Sequence, residues 1–281
     1  ILTIRMSLLF RLFSYLPLWL LHAIGWVLGC LAYGLSSTYR QRFAENAALA
    51  GYSVAQVRGA IGHAGRMVAE LPRLWMGAPI HYEWDNDAAV DKAYAAGQGI
   101  VFLTPHMGCF EISAQSAAER YNERYGPMTV LYRPARQPWL AKVMASARNR
   151  PGLETAPTNL AGVRQMIRAL RNGRAVGLLP DQVPPEGMGQ WAPVFGRKAY
   201  TMTLAARLVQ QTGATVLVAW AERLSWGRGF CIHVRELMQP LSSDLDIAVL
   251  QINQAMEQLI RECPQQYLWG YARYKQPRQE K

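Results

Sequence analysis

Acidic side chains are missing from the start of the chain: Arg5, Arg11, Arg40 and Arg42 all precede the first carboxylate, Glu45. From Leu12 to Tyr39 charge of either sign is missing. That excludes a solvated surface helix there, which would carry a polar face. Further along, charges recur too often for a bundle of many membrane spans. Cysteine is scarce, and Cys30, Cys109, Cys231 and Cys263 form no Cys-x-x-Cys pair. Such spacing argues against zinc ligation and a disulfide framework, and for a reducing, cytosol-facing compartment. No Gly-x-Ser-x-Gly elbow is present to present a serine nucleophile. Internal repeats, low-complexity segments and RNP-like, zinc-finger or helix-turn-helix signatures are also lacking. Disorder is excluded because 51% of the residues are hydrophobic, enough to bury a sizeable core.

What is present is strongly basic. The formal net charge is +11, and its placement is concentrated. Between Arg124 and Arg174 stand nine arginines and Lys142 against a single acid, Glu154. An excess of that kind suits a polyanionic partner: nucleic acid, an anionic membrane or an acidic substrate. The apolar stretch Leu16–Leu35, bounded by Arg11 and Arg40, is about 30 Å long as a helix, the thickness of a bilayer core. It reads as an uncleaved membrane anchor, spanning or half-inserted. Val27-Leu28-Gly29-Cys30 is similar to a lipoprotein cleavage box, but apolar residues continue past it. His22, Pro17 and the glycines of the stretch also fit a buried core helix.

Past an Ala-rich helical stretch at about 41–78, strands and helices alternate. Strands are expected at 99–104, 128–132, 175–179, 214–221 and 230–234. Helices are expected at 108–120, 138–149, 160–172, 201–211 and 244–261, the third capped by Thr158 or Asn159 and stopped by Gly173. The pattern predicts an α/β fold, a largely parallel sheet flanked by helices, with an N-terminal hydrophobic membrane-anchor helix. In such sheets the chemistry sits at the carboxyl ends of the strands.

His106 stands at that place, directly after the first strand of the body, with Glu111 five residues on. On one continuous helix this spacing would splay the two side chains about 140° apart. They can meet if His106 lies in the turn and Glu111 in the first helical turn. A neutral imidazole there can take a proton from a hydroxyl while a carboxylate orients its other nitrogen. With no serine or cysteine nucleophile at motif spacing, the attacking group would be the substrate's own hydroxyl. The same residues equally fit a histidine capping the following helix with Glu111 in its first turn. On the helix at 160–172, Leu160, Val163, Ile167 and Leu170 make an apolar face, and Arg164, Arg168 and Arg171 an opposite basic stripe.

Several blocks, in order, carry a resemblance: Pro105-His106-x4-Glu111, Tyr132-Arg133-Pro134, Arg148-Asn149-Arg150, Leu179-Pro180-Asp181-Gln182, Phe195-Gly196 and the closing Gln266–Lys275. The chain resembles the bacterial lipid A late acyltransferases, the lauroyl and myristoyl transferases of the wider lysophospholipid acyltransferase group. The resemblance implies a membrane anchor over 1–40 and an acyltransferase domain over 41–281. It implies a catalytic His106/Glu111 pair, with Arg133, Arg148 and Asp181 at positions the family uses at its site. Arg164, Arg168 and Arg171 then become candidate substrate-binding residues. The activity implied is transfer of a fatty acyl chain from acyl carrier protein to a hydroxyl of an anionic lipid A precursor. No cofactor and no metal are expected, the acyl thioester being a substrate. The expected partners are acyl carrier protein, the lipid acceptor and the bacterial inner membrane, with the catalytic domain facing the cytoplasm and no nucleic acid. Acylation of a lysophospholipid or glycolipid, or a non-catalytic nucleic-acid- or membrane-binding role, are the alternative readings.

Overall fold

The computed structural model describes residues 2–132, 137, 139–141, 143–144 and 150–279, with side chains from residue 8 onward. Arg133, Arg148 and much of the helix expected at 138–149 lie outside the described residues. A seven-stranded sheet forms the centre, in the order β1-β9-β8-β2-β5-β3-β4. Its strands are β1 (Tyr82–Asp85), β2 (Ile100–Leu103), β3 (Met128–Tyr132), β4 (Leu153–Pro157), β5 (Ala175–Leu178), β8 (Thr215–Arg223) and β9 (Phe230–Glu236). Every neighbouring pair is parallel except β8 with β9. The mostly parallel α/β architecture is therefore as the sequence pattern predicts.

β2 and β5 are buried at every position, as strands covered on both faces must be. Ile100 and Phe102 face α7 (Phe110–Tyr125), whose Ile112, Ala117 and Ala118 join the same apolar cluster. Val101 and Leu103 point the other way, toward α8 (Leu160–Arg171), α9 (Leu204–Thr212) and α10 (Leu245–Glu262). The side-chain period of two thus splits one strand between two cores.

Some elements escape the sequence pattern. β1 and β4 are sheet edges with alternating or polar positions, so no apolar run marks them. Helix α6 (Asp87–Ala95) follows β1 and was not expected. The helical stretch at 41–78 is divided into three helices: α3 (Ser37–Leu49), α4 (Gly59–Ala69) and α5 (Leu71–Met76). Residues 189–202 form an antiparallel hairpin, β6 (Gly189–Val194) and β7 (Arg197–Met202). Its turn is Phe195-Gly196, both at positive φ (46° and 78°), the twist a two-residue hairpin needs. Because β7 runs to Met202, the next helix starts at Leu204, later than expected.

The N-terminal helices are α1 (Leu2–Ser14) and α2 (Leu18–Leu35). α2 is long and apolar enough to cross a membrane. Its outer face is exposed through Trp19, Val27, Leu28, Leu31 and Leu35, while Leu21, His22, Gly25 and Gly29 are buried. That inner face packs on α4 backbone to backbone: a Cβ on Gly25 would stand 2.6 Å from Arg66 Cα, and one on Gly65 would overlap the Gly25 carbonyl. Position 40, where the sequence reading ends the anchor, lies inside α3.

Candidate active site

Two adjacent parallel strands build the site. β2 and β5 pair Leu103 with Leu178, and each then runs through one further residue and a proline. Three positions beyond the pair stand His106 and Asp181, which the register therefore sets side by side across 75 positions of sequence. His106 Nδ1 lies 2.7 Å from Asp181 Oδ1, and the His106 backbone N–H donates to Oδ2 at 2.8 Å. Asp181 is 6% exposed and the His106 side chain 18%. Burial alone would raise the Asp181 carboxyl, but the facing imidazole, both hydrogen bonds and the Arg273 charge hold it below the usual carboxylate range. An ionised Asp181 fixes the proton on Nδ1 and leaves Nε2 as the basic nitrogen.

The place beside the imidazole that the sequence reading assigned to Glu111 is thus, at Nδ1, taken by Asp181. Glu111 is where the pattern put it, in the first turn of α7, and there accepts a hydrogen bond from Trp75 Nε1 at 3.2 Å. Phe110 packs on the His106 ring, with centroids 5.0 Å apart. Helix capping does not explain His106, because the residue before α7 is Cys109 and it makes no side-chain cap. The Cys109 thiol is wholly buried and pushed well above its usual range by that burial, so it stays protonated and is no nucleophile.

An apolar slot of about 70 Å³ opens beside these residues, between α7 and the sheet. Glu111, Phe110 and Thr104 stand at it, and Val130, Gly177 and Ala219 line its floor. A larger hollow of about 780 Å³ lies where β8 begins, between α6, α9 and β9, at the opposite edge of the sheet from His106. The smaller space is therefore the one that adjoins the His106 turn.

The basic stripe is real but remote. Arg164, Arg168 and Arg171 are all exposed on α8, which covers the sheet face opposite α7. Among the described residues none of the three makes a salt bridge. The apolar face differs from expectation at Leu160, which is 65% exposed; Leu170 and Ile167 pack inward as expected, joined by Gly162, Met166 and Ala169. Asn159 is the cap, accepting from the amides of Ala161 and Gly162.

The closing segment reaches the same turn. Gly108 N–H donates to Gln266 O at 3.0 Å, Leu268 N–H to His106 O at 3.3 Å, and Tyr271 OH accepts from the Val183 amide. Sequence blocks at 105–111, 179–182 and 266–275 thus converge on one strand edge. Residues 57–276 match the family model of bacterial lipid A biosynthesis acyltransferases, well over half the chain.

The chain belongs to that family.

Among curated relatives, it is 27% identical over 185 residues to a lipid A biosynthesis palmitoleoyltransferase of Escherichia coli K12, covering 66% of this chain and 58% of the relative. It is 25% identical over 198 residues to the lipid A biosynthesis lauroyltransferase of the same strain, covering 70% and 61%. A lipid A biosynthesis acyltransferase of Haemophilus influenzae is 22% identical over 181 residues, covering 64% and 55%. The chain spans about three-fifths of the length of the curated relatives it matches. The spacing of residues alone points to His106 and Glu111. Asp181 came only through the resemblance. A signal for it was nevertheless present: Leu-Thr-Pro-His at 103–106 and Leu-Leu-Pro-Asp at 178–181 leave their strands in the same way. Trp75, which anchors Glu111, is signalled by nothing in its own segment.

Proposed function

We propose that this protein is a membrane-associated acyltransferase that moves a fatty acyl group from an acyl carrier protein thioester to a hydroxyl of a lipid A precursor. The observation that carries the reading is the His106–Asp181 pair at the carboxyl edge of β2 and β5, in a chain of this family. Nε2 of His106 takes the acceptor's hydroxyl proton as the oxygen attacks the thioester carbonyl. Asp181 keeps the ring in the Nδ1–H tautomer and stabilises the imidazolium. Collapse of the tetrahedral adduct forms the new ester, breaks the carbon–sulfur bond and returns the proton from Nε2 to the leaving sulfur. Glu111 lines the same space with its carboxylate held by Trp75, and supports the imidazolium by charge. The slot under α7 takes the first part of the acyl chain; Gly177 on its floor leaves room that a Cβ would close against Met128 Cε at 2.7 Å.

The partners follow from charge and polarity. Arg164, Arg168 and Arg171 stand free of described salt-bridge partners and attract the acidic carrier protein by long-range field rather than by contact with the reacting atoms. The exposed apolar side of α2 meets the inner membrane, with the catalytic edge on the cytoplasmic side, where the carrier thioester is made. The test is a detergent-solubilised preparation given acyl carrier protein thioester and a deacylated lipid A precursor. One added acyl mass on the lipid, with one equivalent of free carrier thiol, is the expected result. Thiol release without an acceptor, or acyl transfer to a lysophospholipid instead, would reject the acceptor named here.

A further inference from the structure

The His106 turn is gripped on its carbonyl side by a residue that the reaction just described does not use. Arg223, near the end of β8, is 3% exposed, and its Nη2 donates to the Gly108 carbonyl at 2.8 Å. Its remaining donors are all engaged. Nε reaches Glu70 Oε2 at 2.8 Å, Nη2 also reaches Oε1 at 2.6 Å, and Nη1 reaches His63 Nδ1 at 2.9 Å. Gln266 brackets the Arg223 backbone, accepting from its N–H at 2.9 Å and donating to its carbonyl at 3.1 Å. Glu70, 1% exposed, has a further partner: His22 Nε2 at 3.0 Å, from the buried face of α2. Burial raises the Glu70 carboxyl, but the Arg223 charge and hydrogen bonds and the His22 bond hold it at about 2. Arg223, Glu70 and His22 thus form a buried, charged and hydrogen-bonded cluster, with His63 half-buried at its rim.

We propose that Arg223, clamped by Glu70, is the positioning residue of the His106 turn, and that His22 makes the apolar N-terminal helix α2 part of the catalytic scaffold. This rests on the reading of His106 as the general base. A buried ion pair is no better for stability than apolar side chains of the same size, whereas a fully bonded polar network holds one geometry. The geometry held here lies two residues from His106. Gly108 sits at φ 54° with no room for a Cβ, which would overlap the Ala221 carbonyl, so the turn is tight and its carbonyl direction is set from outside. The guanidinium fork that spans Glu70, His63 and Gly108 cannot be reproduced by the single ammonium of a lysine.

The experiment uses the full chain in detergent, with acyl carrier protein thioester and lipid A precursor, and circular dichroism at the assay temperature. Arg223→Lys is expected to lower kcat about ten- to a hundredfold, the scale of a misplaced catalytic group, with the KM for the thioester unchanged and the fold intact. Added to His106→Ala it should lower turnover no further, because the arginine acts only through that histidine. His22→Ala should lower kcat a few-fold, and His22→Gln, which keeps an N–H for Glu70, should restore it. Wild-type kcat in folded Arg223→Lys would overturn the proposal, as would a loss that only tracks the folded fraction. If Arg223→Lys does not fold, the His22→Ala and His22→Gln pair decides by the same kcat criterion. Full turnover in His106→Ala would defeat the general-base reading and this proposal with it. An inactive His106→Ala beside a normal Arg223→Lys defeats this proposal alone.

Discussion

Two histidine–carboxylate clusters in this molecule use the same chemistry for opposite ends. His106 and Asp181 meet at 2.7 Å where two central strands run out, and part of the ring stays open beside an apolar slot. His22 and Glu70 meet at 3.0 Å with side chains only 5% and 1% exposed, and an arginine fills the remaining space. A third histidine, His233, lies between Asp85 and Glu222, whose side chains are 46% and 38% exposed, on the antiparallel side of the sheet. The hydrogen bond is nearly constant across the three. What differs is the surroundings: His22 is buried, and His233 is about as open as His106 but has both ring nitrogens bonded. Of the three only His106 stands beside the apolar slot, where the proposed proton transfer would take place.

The sharpest way to break this comparison is to remove each histidine or carboxylate and ask what is lost. His106→Ala should lower kcat about 10²–10⁴-fold while the protein melts as wild type, and Asp181→Asn should fall in the same range because it upsets the tautomer. Steady-state kinetics with the double variant should show the losses to be non-additive. Near-normal turnover in His106→Ala would make the open cluster no more functional than the sealed one.

Glu70→Ala should do the reverse and act first on stability. It strands the Arg223 charge in the interior, a cost of about 3–5 kcal/mol, which urea unfolding would register as an earlier midpoint at constant slope. A midpoint unchanged by this substitution would mean that water reaches the cluster and that it is not sealed.

The sealed cluster also carries a pH signature. Burial, then the charges of Arg223 and Arg66, push His63 down to about 2, so it is neutral in the folded chain at any pH the protein meets. Unfolded, it titrates near 6.5, so the unfolded state binds the extra proton below that pH. The stability His63 contributes is therefore complete above about 6.5 and is lost as pH falls from there toward 2, by at most about 1.4 kcal/mol per pH unit. Melting curves at pH 7.5 and 5 should differ, and the difference should shrink in His63→Gln. An equal difference in that variant would assign the acid sensitivity elsewhere.

The smallest effect belongs to the exposed stripe. Neutralising Arg164, Arg168 and Arg171 together should leave kcat and melting unchanged and raise the KM for the carrier thioester a few-fold at low salt, with added salt giving wild type the same defect. A triple variant with wild-type KM at every salt concentration would leave these arginines as solvated surface.

Much of the architecture was legible because its causes are local. Short apolar runs bounded by turn residues, as at β2 and β5, read as strands covered on both faces, and Asn159 and Gly173 bracket α8 by backbone chemistry that needs no distant partner. Edge strands β1 and β4 were hidden because an edge buries too little to leave a periodic mark. The hairpin turn at Phe195-Gly196 was read as a family block and not as a turn, since phenylalanine rarely takes positive φ without a sheet to hold it there. Helix α2 was read correctly as apolar, yet its inward face, with His22 and the close glycines, depends on α4 and on Glu70.

By itself the amino-acid sequence determined a mostly parallel α/β sheet, a charge-free N-terminal helix, a histidine leaving a central strand and a concentration of arginine. These are consequences of periodicity, composition and the order of neighbouring residues. Only the tertiary structure decided which carboxylate the histidine meets, and that the arginine stripe stands on the other face of the sheet from α7. It alone brought Arg223, Glu70 and His22 together behind the His106 turn. The reason is strand register: pairing Leu103 with Leu178 sets residues 75 positions apart within 2.7 Å, a distance that no property of either segment alone encodes.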